Sequence, residues 1–139
     1  MAVLLVRHAR AGSRRKWDKP DRLRPLTARG RSEAQGLVAT LSGFGVERVL
    51  SSPYLRCTET VGPLAADCGL AVETSASLAE GGGDKAVDLS HELLRSPGDT
   101  VLCTHGDVVE DVLDALGESA GSGPFRPRRP LVGAAGDPG

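Results

Sequence analysis

Short apolar runs alternate with stretches of helical periodicity along this chain, and that alternation constrains its fold more than any other feature. After Ala2, Val3-Leu4-Leu5-Val6 is four consecutive apolar β-formers, so residues 2–6 read as a buried strand. Val46 to Leu50, residues 70–73 and Thr100 to Thr104 read as three more. Between them the apolar residues fall at helical spacing. Ala34, Leu37, Val38 and Leu41 stand at i, i+3, i+4 and i+7. Leu55, Val61, Leu64, Ala65 and Cys68 share a second face, and Ala86, Leu89, Leu93 and Leu94 a third. Val108, Val109, Val112, Leu113 and Leu116 mark the last helix. Strands joined by helical crossovers imply an α/β fold, a three-layer α/β/α sandwich around a mostly parallel central sheet.

Breakers and caps place the boundaries. Thr27 is a plausible N-cap, and Gly43 and Gly45 end the first helix. Ser51-Ser52-Pro53 resembles a strand-to-helix turn with proline at an early helical position. Pro63 lies inside the second helical pattern and is expected to kink or break it. Ser96-Pro97-Gly98 terminates the third helix. Residues 9–26 form a long, polar, basic connection, and loops of that length in compact domains are functional or disordered. From residue 117 the periodicity is lost and Gly, Pro, Ser and Arg dominate. The expected organisation is therefore one domain over 1–116 and an irregular or mobile tail over 117–139.

At 139 residues the chain can bury a core without metal or disulfide staples. With aromatics at 3%, that core must be Leu, Val and Ala. The opening apolar run is too short for a signal peptide and meets an Arg-His pair at once, so a cytoplasmic location is expected. Cys57, Cys68 and Cys103 are odd in number and lack metal-ligand spacing; they read as reduced thiols, half-buried as small hydrophobes.

The net charge of −1 hides an asymmetry. Residues 1–31 carry ten Lys and Arg against Asp18 and Asp21, and the remainder carries seven bases against sixteen acids. A basic segment on an acidic body suggests a local anionic target, the bland alternative being a solvated Arg-rich loop. General nucleic-acid binding is disfavoured, because one Trp, one Tyr and two Phe leave little to stack on bases. No segment has the length of a membrane span.

In parallel sheets ligands sit beyond the carboxyl ends of the strands. The first strand ends at Arg7-His8, the second at Ser51-Ser52-Pro53 and the fourth at His105-Gly106, while the third leads towards Glu80. Each histidine has a small neighbour, Ala9 or Gly106, that lets backbone approach a ligand. Two strand-end imidazoles can bind metal, but a third ligand is wanted and Arg7 is an awkward neighbour for a cation. Arginine suits planar, bidentate recognition of phosphate oxygens, which favours phosphoryl chemistry for Arg7 and Arg56. Arg56 also falls in the first turn of a helix, where backbone N–H groups favour an anion.

Val-Arg-His-Ala (6–9), Ser-Ser-Pro-Tyr-Leu-Arg-Cys-Thr-Glu-Thr (51–60) and Thr-His-Gly (104–106) resemble the three signature segments of the histidine phosphatase superfamily, the phosphoglycerate-mutase-like fold. Leu26-Thr27 and Gly30 fit its pattern, and the resemblance covers roughly residues 2–116. The Arg-His-Ala form is similar to the SixA-like phosphohistidine phosphatase branch. The segments 10–17 and 21–26 look closest to the histidine-phosphatase module of actinobacterial MutT-type proteins. Members usually continue after the last helix into a further apolar strand, for which this chain offers only Leu131-Val132.

The resemblance implies a phosphatase with no cofactor and no metal. His8 would attack phosphorus and carry a phosphohistidine, with Arg7, Arg56 and His105 holding the phosphoryl oxygens. His8 would have to be neutral at the attacking nitrogen, with the other nitrogen held by a backbone acceptor. Glu80, in Leu78-Ala79-Glu80-Gly81, fits the family's general acid if burial raises its pKa; its alternative is a solvated loop carboxylate. Leaving directly from His8, the loop over 10–24 should overhang the site. Arg10, Arg14, Arg15, Lys16, Arg22 and Arg24 could there meet further phosphates, and Trp17 a base or the pocket mouth. The expected substrate is a nucleoside polyphosphate or a phosphohistidine protein. The alternative from another class is a non-catalytic phosphate-binding or interaction module of the same fold.

Overall fold

The structure, a computed structural model, describes residues 2–119. Four parallel strands, β1 (Val3–Arg7), β2 (Val46–Ser51), β3 (Val72–Thr74) and β4 (Asp99–Thr104), make one sheet in the order β1-β4-β2-β3. The crossovers are α1 (Ala28–Thr40), α2 (Leu55–Cys68) and α3 (Gly83–Leu94), and α4 (Gly106–Ser119) follows the last strand. The alternation of side chains along each strand builds two cores. Leu4, Val6, Val49, Val101 and Cys103 point to one face, where Leu37 and Leu41 of α1 and Val61 and Leu64 of α2 cover them. Val3, Leu5, Leu50 and Leu102 point to the other, against Ala86 and Leu93 of α3 and Val108, Val112 and Leu116 of α4. Each such Leu or Val stabilises the fold by roughly 1.5–3 kcal/mol. The expected three-layer α/β/α sandwich is what these residues form.

Three local readings are corrected. α2 runs unbroken through Pro63. The proline forfeits one backbone bond, but Val61, Leu64 and Ala65 around it are buried in the core, and packing outweighs propensity. Pro53 precedes the helix instead of opening it, since Tyr54 is the N-cap and Leu55 the first helical residue. Cys68 is exposed on α2; only Cys57 and Cys103 are buried thiols. The irregular tail expected over 117–139 lies, beyond Ser119, outside the described residues, and so does Leu131-Val132.

The long connection between β1 and α1 is built in at both ends. Ala11 bridges Leu26, and Ala9, Leu26 and Ala34 form a small core of their own. The Arg10 carbonyl accepts from the Thr27 N–H at 3.0 Å, while Thr27 Oγ1 caps α1 by accepting from the Gly30 N–H at 3.0 Å. Gly30 is required for this closeness, because a Cβ there would land on the Arg10 carbonyl. Arg24, buried on the inside of the loop, donates to the Gly12 carbonyl and to Asp21 Oδ1. Arg24 therefore supports the loop from within, contrary to its expected place among the outward phosphate binders.

Candidate active site

Because β4 inserts between β1 and β2, the carboxyl ends of these three strands lie side by side. Arg7 is in register with Thr104, and Ser51 with Cys103. His8 and His105 are thereby neighbours, with ring centroids 5.5 Å apart in an edge-on arrangement. The His8 N–H donates to the Thr104 carbonyl at 3.0 Å, extending the β1–β4 ladder by one residue. His8 Nδ1 lies 2.7 Å from the Ala9 carbonyl oxygen. A carbonyl only accepts, so Nδ1 carries the proton and Nε2 carries the free lone pair. Burial lowers the His8 pKa to about 4; the Ala9 hydrogen bond opposes the shift, and the charges of Arg56, His105 and Arg7 reinforce it. The imidazole is thus neutral at physiological pH, with Nε2 available as a nucleophile.

Arg56, in the first turn of α2, is fully buried. Its guanidinium donates from Nη1 to the Asp21 carbonyl at 3.0 Å and from Nη2 to Asp21 Oδ2 at 3.1 Å, with Glu80 Oε1 3.6 Å from Nη2. The Tyr54 ring covers it, 4.9 Å from Cζ. Arg56 Nε is buried and has no hydrogen-bond partner among the described residues. The same holds for His105 Nδ1. A buried polar nitrogen left without a partner is costly and uncommon. Here two of them sit in the residues that close around His8.

His105 is buried, and its Nε2 lies 2.9 Å from Ser52 Oγ and 3.7 Å from Cys57 Sγ. Ser52 Oγ also accepts from the Tyr54 N–H at 3.2 Å. Sequence reasoning did not single out Ser52 or Asp21; both stand beside residues it did choose. Cys57 was assigned only to packing. Burial opposes its ionisation, but hydrogen bonds to Cys103 and His105 outweigh it and hold its pKa below the ordinary thiol value. Arg7 lies across Gly106, where an added Cβ would stand 3.0 Å from Arg7 Nε. The small residue after His105 is needed for the guanidinium to reach over the start of α4.

Glu80 is exposed on the loop that follows Leu78. It is nonetheless held in place. Thr104 Oγ1 donates to the Leu78 carbonyl, and the Gly81 N–H donates to Asp107 Oδ2 at 3.1 Å. Arg14 crosses from the basic loop to pair with Glu80 Oε2 at 3.2 Å and Asp21 Oδ1 at 3.6 Å. Arg14 is therefore a basic loop residue whose side chain reaches Glu80 and Asp21. Lys16 is exposed on the same turn, its N–H donating to the Ser13 carbonyl at 3.3 Å. Arg10 contributes its backbone, donating from N–H to Glu33 Oε1 at 3.0 Å. The contacts of Trp17 lie within the loop: its Nε1–H donates to the Pro20 carbonyl at 3.0 Å, and Lys19 Nζ stands 5.4 Å from the ring centroid. Among the described residues no three His, Cys, Asp or Glu side chains are grouped as a metal ion would require, and no helix is long and apolar enough to cross a membrane.

Residues 3–119 match the family model of the histidine phosphatase superfamily (branch 1). The chain belongs to that superfamily. A protein histidine phosphatase SixA solved with tungstate is 27% identical and superposes with a TM-score of 0.69, over 84% of this chain and 76% of that one. A mycobacterial glucosyl-3-phosphoglycerate phosphatase solved with VO3 shares the fold at a TM-score of 0.70 and 17% identity, over 84% and 81% of the two chains. An 8-oxo-(d)GTP phosphatase of Mycolicibacterium smegmatis is 34% identical over 120 residues. That match takes in 81% of this chain but 36% of the relative's length. The three segments that carried the resemblance in sequence lie at the strand ends that meet around His8, and the phosphoglycerate-mutase-like fold is the one expected.

Proposed function

We propose that this superfamily member is a phosphatase that works through a covalent phosphohistidine on His8. The observation that carries the reading is the neutral His8, its Nδ1–H held by the Ala9 carbonyl and its Nε2 lone pair left beside Arg56 and His105. In the first step Nε2 bonds to phosphorus while the bond from phosphorus to the leaving group breaks, its electron pair departing with that group. In the second, water attacks phosphorus, the P–N bond returns its pair to Nε2, and the water proton passes to solvent or to a nearby carboxylate. Arg7, Arg56 Nε and His105 Nδ1 are the donors assigned to the phosphoryl oxygens, where charge builds in the transition state.

An exposed, ion-paired Glu80 suits a substrate whose leaving group departs readily, such as a phosphoanhydride or a phosphohistidine, better than an alkyl phosphate that needs a proton delivered. The Arg14 contact and the exposed Lys16 and Arg15 favour a substrate with charge beyond the transferred phosphoryl group. Both the relative named for 8-oxo-(d)GTP and the SixA neighbour fit that description, so nucleoside triphosphates and phosphohistidine proteins are the substrate classes proposed. The test is a panel of nucleoside triphosphate, phosphohistidine protein and aryl phosphate. A clear preference for one of the first two supports the reading. Equal, slow turnover of all three removes the loop's role, and binding without turnover replaces the enzyme with a phosphate-binding module.

The pH profile follows from the same histidine. Attack needs neutral His8, and its pKa in the folded protein is about 4, so protonation inactivates the enzyme only as the pH falls through that value. The acid limb of kcat/KM, corrected for the second ionisation of the substrate phosphate near ~6, is expected close to pH 4 and not 6.5. The folding consequence has the same sign. Between pH 6.5 and about 4 the unfolded chain binds a proton that the native site refuses, so stability falls as the pH is lowered across that window.

A further inference from the structure

We propose that Asp21 is a positioning residue that aims the Arg56 guanidinium at the transferred phosphoryl group. This rests on the phosphatase reading and extends it to a residue outside the three signature segments. A guanidinium offers its acceptors distinct edges. Asp21 takes the far edge with two different groups, its backbone carbonyl on Nη1 and its carboxylate on Nη2. The edge left over ends in Nε, the buried atom with no partner among the described residues. Asp21 thus fixes the rotation of Arg56 about its own axis and turns Nε away from itself.

Asp21 is in turn built into the loop. It opens the 3-10 turn Asp21–Leu23, its carbonyl accepts from the Arg24 N–H at 3.1 Å, and its Oδ1 accepts from Arg24 Nε at 3.1 Å. The buried Arg24 is anchored again on the Gly12 carbonyl. Arg14 adds a contact to Oδ1 from the solvent side. Burial disfavours the carboxylate, but the hydrogen bond from Arg24 and the charge and hydrogen bond of Arg56 outweigh it and hold the Asp21 pKa below its ordinary value. A side chain tied on three sides is a fixed brace for Arg56. An acid that merely competed with phosphate for the guanidinium would need freedom to leave, and Asp21 has little. The basic loop therefore does more than overhang the site: through Asp21 it sets the geometry of the phosphate pocket.

The test is a double-mutant cycle of Asp21→Ala and Arg56→Ala, read by kcat/KM on an aryl phosphate, by tungstate affinity and by melting temperature without anion. Asp21→Ala alone is expected to lower kcat/KM by about 10–100-fold, the usual effect of a misplaced catalytic group, and to weaken tungstate. In the Arg56→Ala background it is expected to cost no more than about twofold, because the group it positions is gone. Asp21→Asn, which keeps the carbonyl contact and one side-chain acceptor, should recover part of the loss. Losses that add fully across the cycle, unchanged kcat/KM in Asp21→Ala, or tighter tungstate binding in that variant each overturn the proposal while leaving the phosphatase reading standing. If Asp21→Ala fails to fold, Asp21→Asn takes its place in the cycle with Arg56→Lys under the same criterion. An unaltered protein that neither turns over phosphate nor binds tungstate overturns both.

Discussion

His8→Ala is expected to lower kcat/KM for every phosphorylated substrate by at least about 1,000-fold, the scale at which loss of a covalent nucleophile is felt. The melting temperature should move little. His8 is only partly buried, and its side chain makes one hydrogen bond, to the Ala9 carbonyl. The variant also separates chemistry from binding. Arg7, Arg56 and His105 remain, so tungstate should still stabilise His8→Ala against heat by mass action. Acid quenching would hydrolyse a phosphohistidine, so trapping must be done in base. Labelled substrate should mark the unaltered protein at residue 8 and leave the variant unmarked. Label at another residue, or turnover in His8→Ala within about tenfold of the unaltered rate, would remove His8 from the mechanism.

The strand ends were legible because two periodicities in the sequence do not depend on context. Four apolar β-formers before Arg7-His8, and Val101, Leu102 and Cys103 before Thr104-His105, can only be buried strands in a chain with helices between them. Once the sheet is parallel, the residues that follow its strands share an edge. His8, Arg56 and His105 could therefore be gathered from sequence, and the structure brings them together. Asp21 and Ser52 could not. Asp21 reads as one acid in a basic loop, and its meaning comes from meeting Arg56 across 35 residues of chain. Ser52 reads as a turn residue, and its contact with His105 spans 53. The placement of Arg24 failed for a related reason. An arginine among arginines looks solvated, and nothing in its neighbours announces that it folds inward onto Gly12. Pro63 misled because a local rule was applied where burial of Val61 and Leu64 decides the outcome.

Arg56→Ala is expected to reduce kcat/KM by about 100–1,000-fold, the range for removing one preorganised donor to a developing oxyanion. The effect should exceed what its single free nitrogen suggests, because Arg56 is also the cation between two carboxylates. Without it Asp21 and Glu80 keep Arg14 and Arg24 as ion-pair partners but face the phosphoryl site with one cation fewer, and the incoming substrate is itself an anion. Both a donor and part of the local positive charge are lost, so tungstate affinity should fall along with kcat. Arg56→Lys divides these roles. It restores the charge, but its three N–H bonds radiate from one nitrogen, so it lacks the planar fork that holds Asp21 on Nη1 and Nη2 while a separate Nε faces the phosphate. Its tungstate affinity should therefore recover more than its kcat. If Arg56→Lys instead matches the unaltered protein in kcat, charge alone is what the site asks of position 56, and the fork geometry that links Asp21 to the phosphoryl group has no part in catalysis.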